Sequence, residues 1–240
     1  MKKLIRGIVD FRKNVRPTCK ETFAQLALGQ RPDTLFICCS DSRVVPNLFA
    51  STDPGDLFVV RNVGNLVPLC CQQTHTDDSM GAALEFSLTS LPVTEIIVCG
   101  HSECGAMQSL EKKLGEKYEH SITEKENSSI QNWLQHGNKC LELLSDPIFA
   151  QIGEHLEVHN QLSQINVLIQ MEHLKSYPLV KERIEQGRLK LHGWWFDLIE
   201  ANVYEFDHNT KQFELIDEDY AQVLLTRASE ASLASSQLQQ

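Results

Sequence analysis

Short apolar runs and an amphipathic stretch alternate over residues 34–100. "TLFICC" (34–39), "DLFVV" (56–60) and "EIIVCG" (95–100) are continuous apolar runs, a pattern that indicates strands covered on both faces in a parallel sheet. "DDSMGAALEFSLTSL" (77–91) lies between the last two runs and predicts a helix, because Pro92 stands just beyond its end. These segments therefore predict a β-α-β crossover.

Helical patterns flank this region. The apolar positions of residues 1–28 are mostly three, four or seven apart and predict two amphipathic helices, broken at Arg16-Pro17. Residues 106–150 are polar and predict helices around a loosely held loop, and "HLEVHNQLSQINVLIQMEHL" (155–174) predicts a long helix.

The last part of the chain has a strand pattern. "GRLKLHGWWFDLIEANVYEFDHNTKQFELI" (187–216) alternates apolar and polar residues around a turn at Asn209, which predicts a strand followed by an edge hairpin. Residues 226–240 are predicted to be a frayed tail. The whole chain, 1–240, is predicted to be a single α/β domain. A mostly parallel central sheet is flanked by helices, with an N-terminal helical arm (1–28) and a C-terminal edge hairpin.

Length and charge exclude several classes of function. A chain of 240 residues can bury a full core. Its formal net charge of -10 opposes binding to phosphate backbones and to anionic membranes. No apolar run approaches the roughly 20 residues of a membrane span, and Arg6 and Asp10 interrupt any secretory signal. We expect a soluble cytoplasmic protein that binds neither nucleic acid nor membranes.

The eight cysteines are expected to be reduced in that compartment, and so to be thiols or metal ligands. "LCCQQTHTDD" (69–78) is rich in potential ligands, but adjacent cysteines point in different directions, so we favour surface or interface structure there. Four cysteines are expected to be small buried residues in strands or helices: Cys19, Cys38, Cys99 and Cys140.

Two pairs of chemically active residues end two of the predicted strands. Cys39 ends the first run and Asp41 follows it, and His101 and Cys104 follow the third run. Ligands gather beyond the carboxyl ends of parallel strands, so the two pairs should meet there. Two thiolates and an imidazole suit Zn²⁺, and a catalytic zinc typically has three protein ligands.

Arg43 helps to decide the role of Asp41. A guanidinium can clamp a carboxylate with paired donors, which would turn Asp41 away from the metal and leave the fourth position open. The alternative is a structural zinc site with Asp41 as its fourth ligand. A redox thiol pair is a weaker alternative, since the chain has no C-x-x-C motif.

These residues lie in recognisable motifs. "CSDSRV" (39–44), "PGDLFVVRNVGNLV" (54–67), "GAALEF" (81–86) and "HSECGAM" (101–107) together resemble the β-class carbonic anhydrases, and the likeness extends from Leu26 to Phe196. The resemblance implies reversible hydration of carbon dioxide to bicarbonate and a proton. It also implies one Zn²⁺ per subunit on Cys39, His101 and Cys104, with Asp41 and Arg43 as a catalytic dyad and Asp41 a ligand only in a closed state.

The resemblance also implies a substrate pocket. Gln30 stands nine residues before Cys39, as in the plant-like subgroup, where this Gln and a Phe line the pocket from the partner subunit. The pocket Tyr of that subgroup is replaced by Phe86, and a second Gly after Cys104 is replaced by Ala106. The residues assigned to the pocket are Gln30, Phe58, Val63, Phe86 and Gly105.

A bicarbonate-binding regulatory pocket of the other subgroup uses Trp, Arg and Tyr. The corresponding residues here are Phe36, Arg61 and Phe196, so that regulation is not expected.

The resemblance implies a homodimer or homotetramer with the active site at the dimer interface. Because two thiolates offset the charge of Zn²⁺, we expect an activity that rises toward alkaline pH.

Two other functions remain open at this stage. The zinc ligands are compatible with a hydrolase of carbonyl sulfide or carbon disulfide, since these linear molecules resemble carbon dioxide. A non-catalytic, zinc-stabilised interaction protein is the second alternative, and it predicts four protein ligands.

Overall fold

Six strands form one sheet in the computed structural model, which describes residues 1–70, 78–116 and 128–237. The strands are β1 (Thr34–Cys39), β2 (Leu57–Asn62), β3 (Glu95–His101), β4 (Lys190–Asp197), β5 (Asn202–Asp207) and β6 (Gln212–Leu215). Their order in the sheet is β2-β1-β3-β4-β5-β6. β1 to β4 are parallel, whereas β5 and β6 join by antiparallel pairing. The predicted mostly parallel sheet and edge hairpin are thereby confirmed.

Helices precede, connect and follow these strands. In the described residues they are α1 (Lys2–Asp10), α2 (Arg16–Leu26), α3 (Pro46–Phe49), α4 (Asp78–Ser90), α5 (Gly105–Glu116), α6 (Ser129–Leu134), α7 (Lys139–Leu143), α8 (Val158–Leu174), α9 (Pro178–Glu185) and α10 (Glu218–Gln237). Short 3₁₀ turns cover Val63–Asn65 and Gln135–Gly137. The predicted helices at 77–91 and 155–174 are confirmed.

β1 and β3 are buried on both faces. Alternate residues of a strand point to opposite faces. Leu35 and Ile37 of β1 accordingly pack in the core beside α8, whereas Phe36 and Cys38 pack in a second cluster. β2 is different, because it is an edge strand: its residues are half-buried, and Arg61 is exposed. The prediction that all three apolar runs are covered on both faces therefore holds only in part for β2. Phe58 and Val60 pack against one core cluster and Leu57 and Val59 against another, but all four are half-buried.

The N-terminal arm is helical, as predicted, but the break at Arg16-Pro17 is a change of helix type. A π-helical turn, Phe11–Val15, joins α1 to α2. Pro17 has no N–H to donate to the carbonyl four residues earlier, so an irregular turn before it is expected. No residue of α1 or α2 is buried. Cys19 is half-exposed there, so its predicted burial is wrong, whereas Cys38, Cys99 and Cys140 are buried as expected.

The C-terminal segment is also more regular than predicted. A frayed tail is expected from residue 226, whereas α10 continues to Gln237. Residues 226–240 contain three Ala, three Gln and two Leu but neither Gly nor Pro, so helix propensity favours continuation of the helix. Asp207 fixes the start of this helix to β5 by accepting hydrogen bonds from Tyr220 Oη at 3.0 Å and Arg227 Nη1 at 2.8 Å.

No helix in the described part of the chain combines the length and the apolar character that crossing a membrane requires. The polar loop predicted within residues 106–150 falls mostly on 117–127, which lie outside the described residues. Most of the 69–78 segment lies outside them as well.

α8 packs against β3 and β4 at two glycines. A Cβ atom at Gly100 would stand 2.8 Å from Val167 Cγ2 and 3.1 Å from the backbone oxygen of Ser163. At Gly193 it would meet Val167 Cγ1 at 3.0 Å. The absence of side chains at these positions brings the helix close to the strand ends.

We predict that Gly100→Ala lowers the free energy of unfolding by about 1–3 kcal/mol, because α8 would have to move off the sheet. Thermal and urea unfolding measure the change. Gly7→Ala is the matched control, since no atom lies within 4 Å of a Cβ there. It should leave stability unchanged or raise it by up to about 1 kcal/mol. Equal stability of wild type and Gly100→Ala would contradict the close packing.

Candidate metal centre

The carboxyl ends of β1 and β3 bring the predicted ligands together. Cys38 is in register with Cys99, so Cys39 lies beside the Gly100-His101 end of β3. β1 leads to β2 on one side, and β3 leads to β4 on the other. This is the switch point at which open α/β sheets form a crevice. The ligand atoms of Cys39, His101 and Cys104 lie within 4.8 Å of one another, and all three residues are buried.

The orientation of His101 leaves one ring nitrogen for a ligand. Nδ1 lies 2.7 Å from the carbonyl oxygen of Ser102. Nδ1 therefore carries the proton that it donates to this carbonyl, and Nε2 is left as the acceptor. Nε2 is buried and has no hydrogen-bond partner among the described residues. An unpaired buried nitrogen is costly, and coordination of a metal ion removes that cost.

The two buried thiols influence each other's ionisation. Hydrogen bonding with Cys104 lowers the pKa of the Cys39 thiol. The same hydrogen bond and burial raise the pKa of Cys104. The thiolate of Cys39 is thus already favoured. A divalent cation bound between the two sulfurs would stabilise the thiolates of both Cys39 and Cys104. Two sulfurs and an imidazole nitrogen are a donor set that Zn²⁺ accepts. The residues present fit the metal.

Gly64 supplies a further donor to this cluster. Its backbone N–H donates to Cys39 Sγ at 3.3 Å, which favours the thiolate. Its φ of 79° lies in the left-handed region, and a Cβ there would stand 2.8 Å from Ala106 Cβ. Only glycine fits both conditions without strain.

Asp41 is turned toward Arg43. Its Oδ1 accepts hydrogen bonds from Arg43 N and Nε, both at 2.9 Å, and its Oδ2 accepts one from Nη2 at 2.7 Å. The guanidinium holds the pKa of Asp41 far below its usual range. Asp41 is outside the metal-ligand group found in the described residues. The structure therefore brings Cys39, His101 and Cys104 together and holds Asp41 on Arg43, and the roles of these residues stay predictions.

Arg61 fixes the loop that carries this pair. Its Nη2 donates to the carbonyl oxygens of Asp41 at 2.7 Å and Val44 at 2.8 Å, and its Nε donates to that of Cys39 at 3.2 Å. One side chain thus binds three carbonyls of the segment in which β1 leaves the sheet. Sequence reasoning assigned Arg61 only to a regulatory pocket and missed this role.

Polar residues on α8 form hydrogen bonds with the backbone at and near the predicted ligands. Ser163 Oγ donates to the backbone oxygen of His101 at 2.8 Å and accepts a hydrogen bond from its N–H at 3.3 Å. Asn166 Nδ2 donates to Gly64 O at 3.0 Å, and Gln170 Nε2 donates to Asn166 Oδ1 at 2.9 Å. Sequence reasoning missed these residues. Their spacing of three and four along α8 places them on one face of the helix and is the signal that could have found them.

The predicted pocket residues do not all lie near the cluster of their own chain. Gln30 precedes β1, and Phe58 is in register with Leu35 at the start of that strand. The ligand cluster lies at the other end of the strand, where Cys39 is about 13 Å from Leu35. The Phe58 and Phe86 rings contact each other, with centroids 5.8 Å apart. Val63 and Phe86 are 42% and 46% exposed, and Gly105 is also exposed.

Comparison with known proteins gives a consistent result. The family profile described as carbonic anhydrase matches residues 34–203. The chain is 39% identical to a carbonic anhydrase of Synechocystis sp., over 86% of this chain and 71% of that protein. It is 34% identical to a carbonic anhydrase of Pseudomonas aeruginosa, over 89% of this chain and 90% of that protein.

Solved structures agree in fold. The structure of the β-carbonic anhydrase CcaA superposes with a TM-score of 0.77 at 36% identity, covering 90% of this chain and 98% of that chain. A structure of tetrameric β-carbonic anhydrases from Sordaria macrospora gives a TM-score of 0.69 at 26% identity. It covers 85% of this chain and 95% of that chain.

We predict that the purified protein binds one zinc ion per chain and that Cys39→Ala abolishes this binding. The matched control is Cys38→Ala, which makes the same change one residue earlier, on the opposite face of β1. Metal content after dialysis against zinc, measured by mass spectrometry, gives the result. Zinc loss in both variants, or in neither, would be inconsistent with the assigned cluster.

Proposed function

Because this chain belongs to the β-carbonic anhydrase family, we propose that it catalyses the reversible hydration of carbon dioxide to bicarbonate and a proton. The observation that supports this activity most strongly is the arrangement at the strand ends. Three buried ligand atoms face one another, His101 Nε2 has no hydrogen-bond partner among the described residues, and Asp41 is held apart by Arg43.

Cys39, His101 and Cys104 would hold one Zn²⁺ per chain. When bound, Zn²⁺ lowers the pKa of a water molecule and so supplies a hydroxide nucleophile near neutral pH. The chain contributes a fixed histidine tautomer and a backbone donor, Gly64 N–H, which tunes the sulfur of Cys39.

We assign the orientation of the nucleophile to Asp41. A carboxylate has about four acceptor positions. Arg43 occupies three of them, two on Oδ1 and one on Oδ2. The remaining position on Oδ2 would accept a hydrogen bond from the hydroxyl and so orient its lone pair toward carbon dioxide. Because its pKa is so low, Asp41 stays ionised at neutral pH and acts as an acceptor, without carrying the proton away.

We further propose that the pocket is completed by a second copy of the chain. Gln30 and Phe58 lie at the opposite end of β1 from Cys39, so they are better placed to line the pocket of a partner subunit than that of their own. Exposed Val63, Phe86 and Gly105 would border the same pocket. A homodimer or homotetramer fits this arrangement, and the related enzymes from Sordaria macrospora are described as tetrameric.

We also propose that bicarbonate does not regulate this protein through Phe36, Arg61 and Phe196. The Phe49 ring stacks on Phe196 with centroids 4.6 Å apart and lies 6.0 Å from Phe36. Arg61 is engaged by three carbonyls.

A cytoplasmic location is proposed as well, since the seven described cysteines form no disulfide.

We predict that Asp41→Asn and Arg43→Ala each lower kcat by about 100-fold or more, while zinc content stays near one per chain. Stopped-flow hydration of carbon dioxide and metal analysis on the same samples provide the measurement. Arg188→Ala is the control, because Arg188 precedes the start of β4, at the opposite end of the parallel strands from His101. Full activity in either dyad variant would refute the roles of Asp41 and Arg43. Turnover of carbonyl sulfide or carbon disulfide, but not of carbon dioxide, would replace the proposed substrate.

The rate is also predicted to depend on pH. Two thiolates reduce the positive charge at the metal, so the water should ionise at a higher pH than it would beside three neutral imidazoles. We expect kcat/KM to rise from pH 6.5 to pH 9, with zinc content constant. A profile that is flat over this range would contradict the assignment of a metal-activated water.

A further inference from the structure

We infer that Asn160 is a positioning residue for the pair formed by Asp41 and Arg43, and that it acts through the backbone of Glu103. This inference rests on the proposed function, because the pair serves the hydration step. It adds a residue on α8 whose side chain forms hydrogen bonds with Glu103. Its test includes a measurement that does not depend on catalysis.

Arg43 needs support beyond its bond to Asp41. Its side chain is 52% exposed, and an exposed ion pair alone holds a flexible side chain weakly. A second acceptor is present: Arg43 Nη2 also donates to the backbone oxygen of Glu103 at 3.0 Å. The guanidinium therefore bridges the loop after β1 and the loop after β3. Its position depends on where the carbonyl of Glu103 points.

That carbonyl is set by an unusual backbone conformation. Glu103 has a φ of 55°, in the left-handed region, which costs a non-glycine residue roughly 1 kcal/mol. Such a conformation persists only where surrounding contacts hold it. Glu103 stands between His101 and Cys104, so a turn is required here to bring both side chains to one cluster.

Asn160 provides the contacts that hold this turn. Its Oδ1 accepts a hydrogen bond from the backbone N–H of Glu103 at 2.7 Å, and its Nδ2 donates to Glu103 Oε1 at 3.2 Å. Asn160 is 8% exposed and lies in the first turn of α8. That helix packs on β3 and β4, so the amide is a fixed point of the core. The carboxylate of Glu103 is held further by Gln108 and His159.

The consequence is a chain of contacts from the core to the proposed nucleophile. The Asn160 amide fixes the turn at Glu103, the Glu103 carbonyl fixes the guanidinium of Arg43, and the guanidinium fixes the carboxylate of Asp41. A displacement of Asn160 by a fraction of an ångström would therefore also displace Asp41 Oδ2, the oxygen that we assign to orient the hydroxyl.

The first experiment removes the side-chain amide of Asn160 and then adds a substitution at Glu103 that makes its support of the turn unnecessary. We expect Asn160→Ala to lower kcat by about 10-fold or more, with KM changed less than about twofold. Adding Glu103→Gly should restore most of this loss, because glycine adopts a positive φ without support and keeps the same carbonyl. Gln161→Ala is the matched control, since its amide donates to Ala150 O instead. It should match wild type.

The second measurement follows Arg43 directly. In ¹H–¹⁵N spectra, the Nε–H signal of Arg43, assigned with Arg43→Lys, should be slow to exchange in wild type. It should be lost in Asn160→Ala and return in Asn160→Ala/Glu103→Gly. A merely structural role for Asn160 would lower the melting temperature without this pattern. If wild-type protein fails to hydrate carbon dioxide, the proposed function fails, while the Nε–H signal still tests the positioning.

A second pair of variants keeps the test valid if Asn160→Ala does not fold. Asn160→Asp retains the shape and the acceptor for the N–H of Glu103, but its charge opposes the Glu103 carboxylate. It should therefore lower kcat, and adding Glu103→Gln should recover it by reversing donor and acceptor. The inference is overturned if Asn160→Ala or Asn160→Asp keeps wild-type kcat and the Nε–H signal. It is also overturned if neither double variant recovers them.

Discussion

Parallel pairing of β1 with β3 is the constraint on which the rest of this structure depends. The register that sets Cys38 opposite Cys99 also sets the thiol of Cys39 beside the imidazole of His101. A slip of one residue would turn Cys39 to the other face of the sheet. Apolar burial of β1 and β3 therefore specifies where the three candidate metal ligands meet.

The polar groups of the site are supported by backbone atoms as much as by side chains. Arg61 binds three carbonyls of the loop after β1, and Ser163 binds both backbone groups of His101. These contacts satisfy groups that are buried or lie at strand ends, where the ladder of the sheet no longer pairs them. The resulting rigidity suits the role that we propose for the Asp41 carboxylate, because its acceptor position must be fixed before the substrate arrives.

Much of this arrangement could be predicted from the sequence. The apolar runs gave β1 and β3 to within one residue of their observed ends, and the motifs around Cys39 and His101 indicated three metal ligands at neighbouring strand ends. The edge position of β2 could not be predicted, because its apolar run is as continuous as the others and strand order is a long-range property. The contacts of Arg61 and Asn160 were missed for the same reason, since their partners are 17 or more residues distant along the chain.

The glycines beneath α8 tie the stability of the sheet to the geometry of the site. The helix that rests on Gly100 and Gly193 is also the one that carries Ser163, Asn166 and Asn160. A larger side chain beneath α8 would displace the whole helix. The amides of Asn160 and Asn166 and the hydroxyl of Ser163 would then move away from their hydrogen-bond partners. Evolution of this interface is therefore confined to coordinated changes on both surfaces, and a stabilising substitution there will be tolerated only if it leaves the height of the helix above the sheet unchanged.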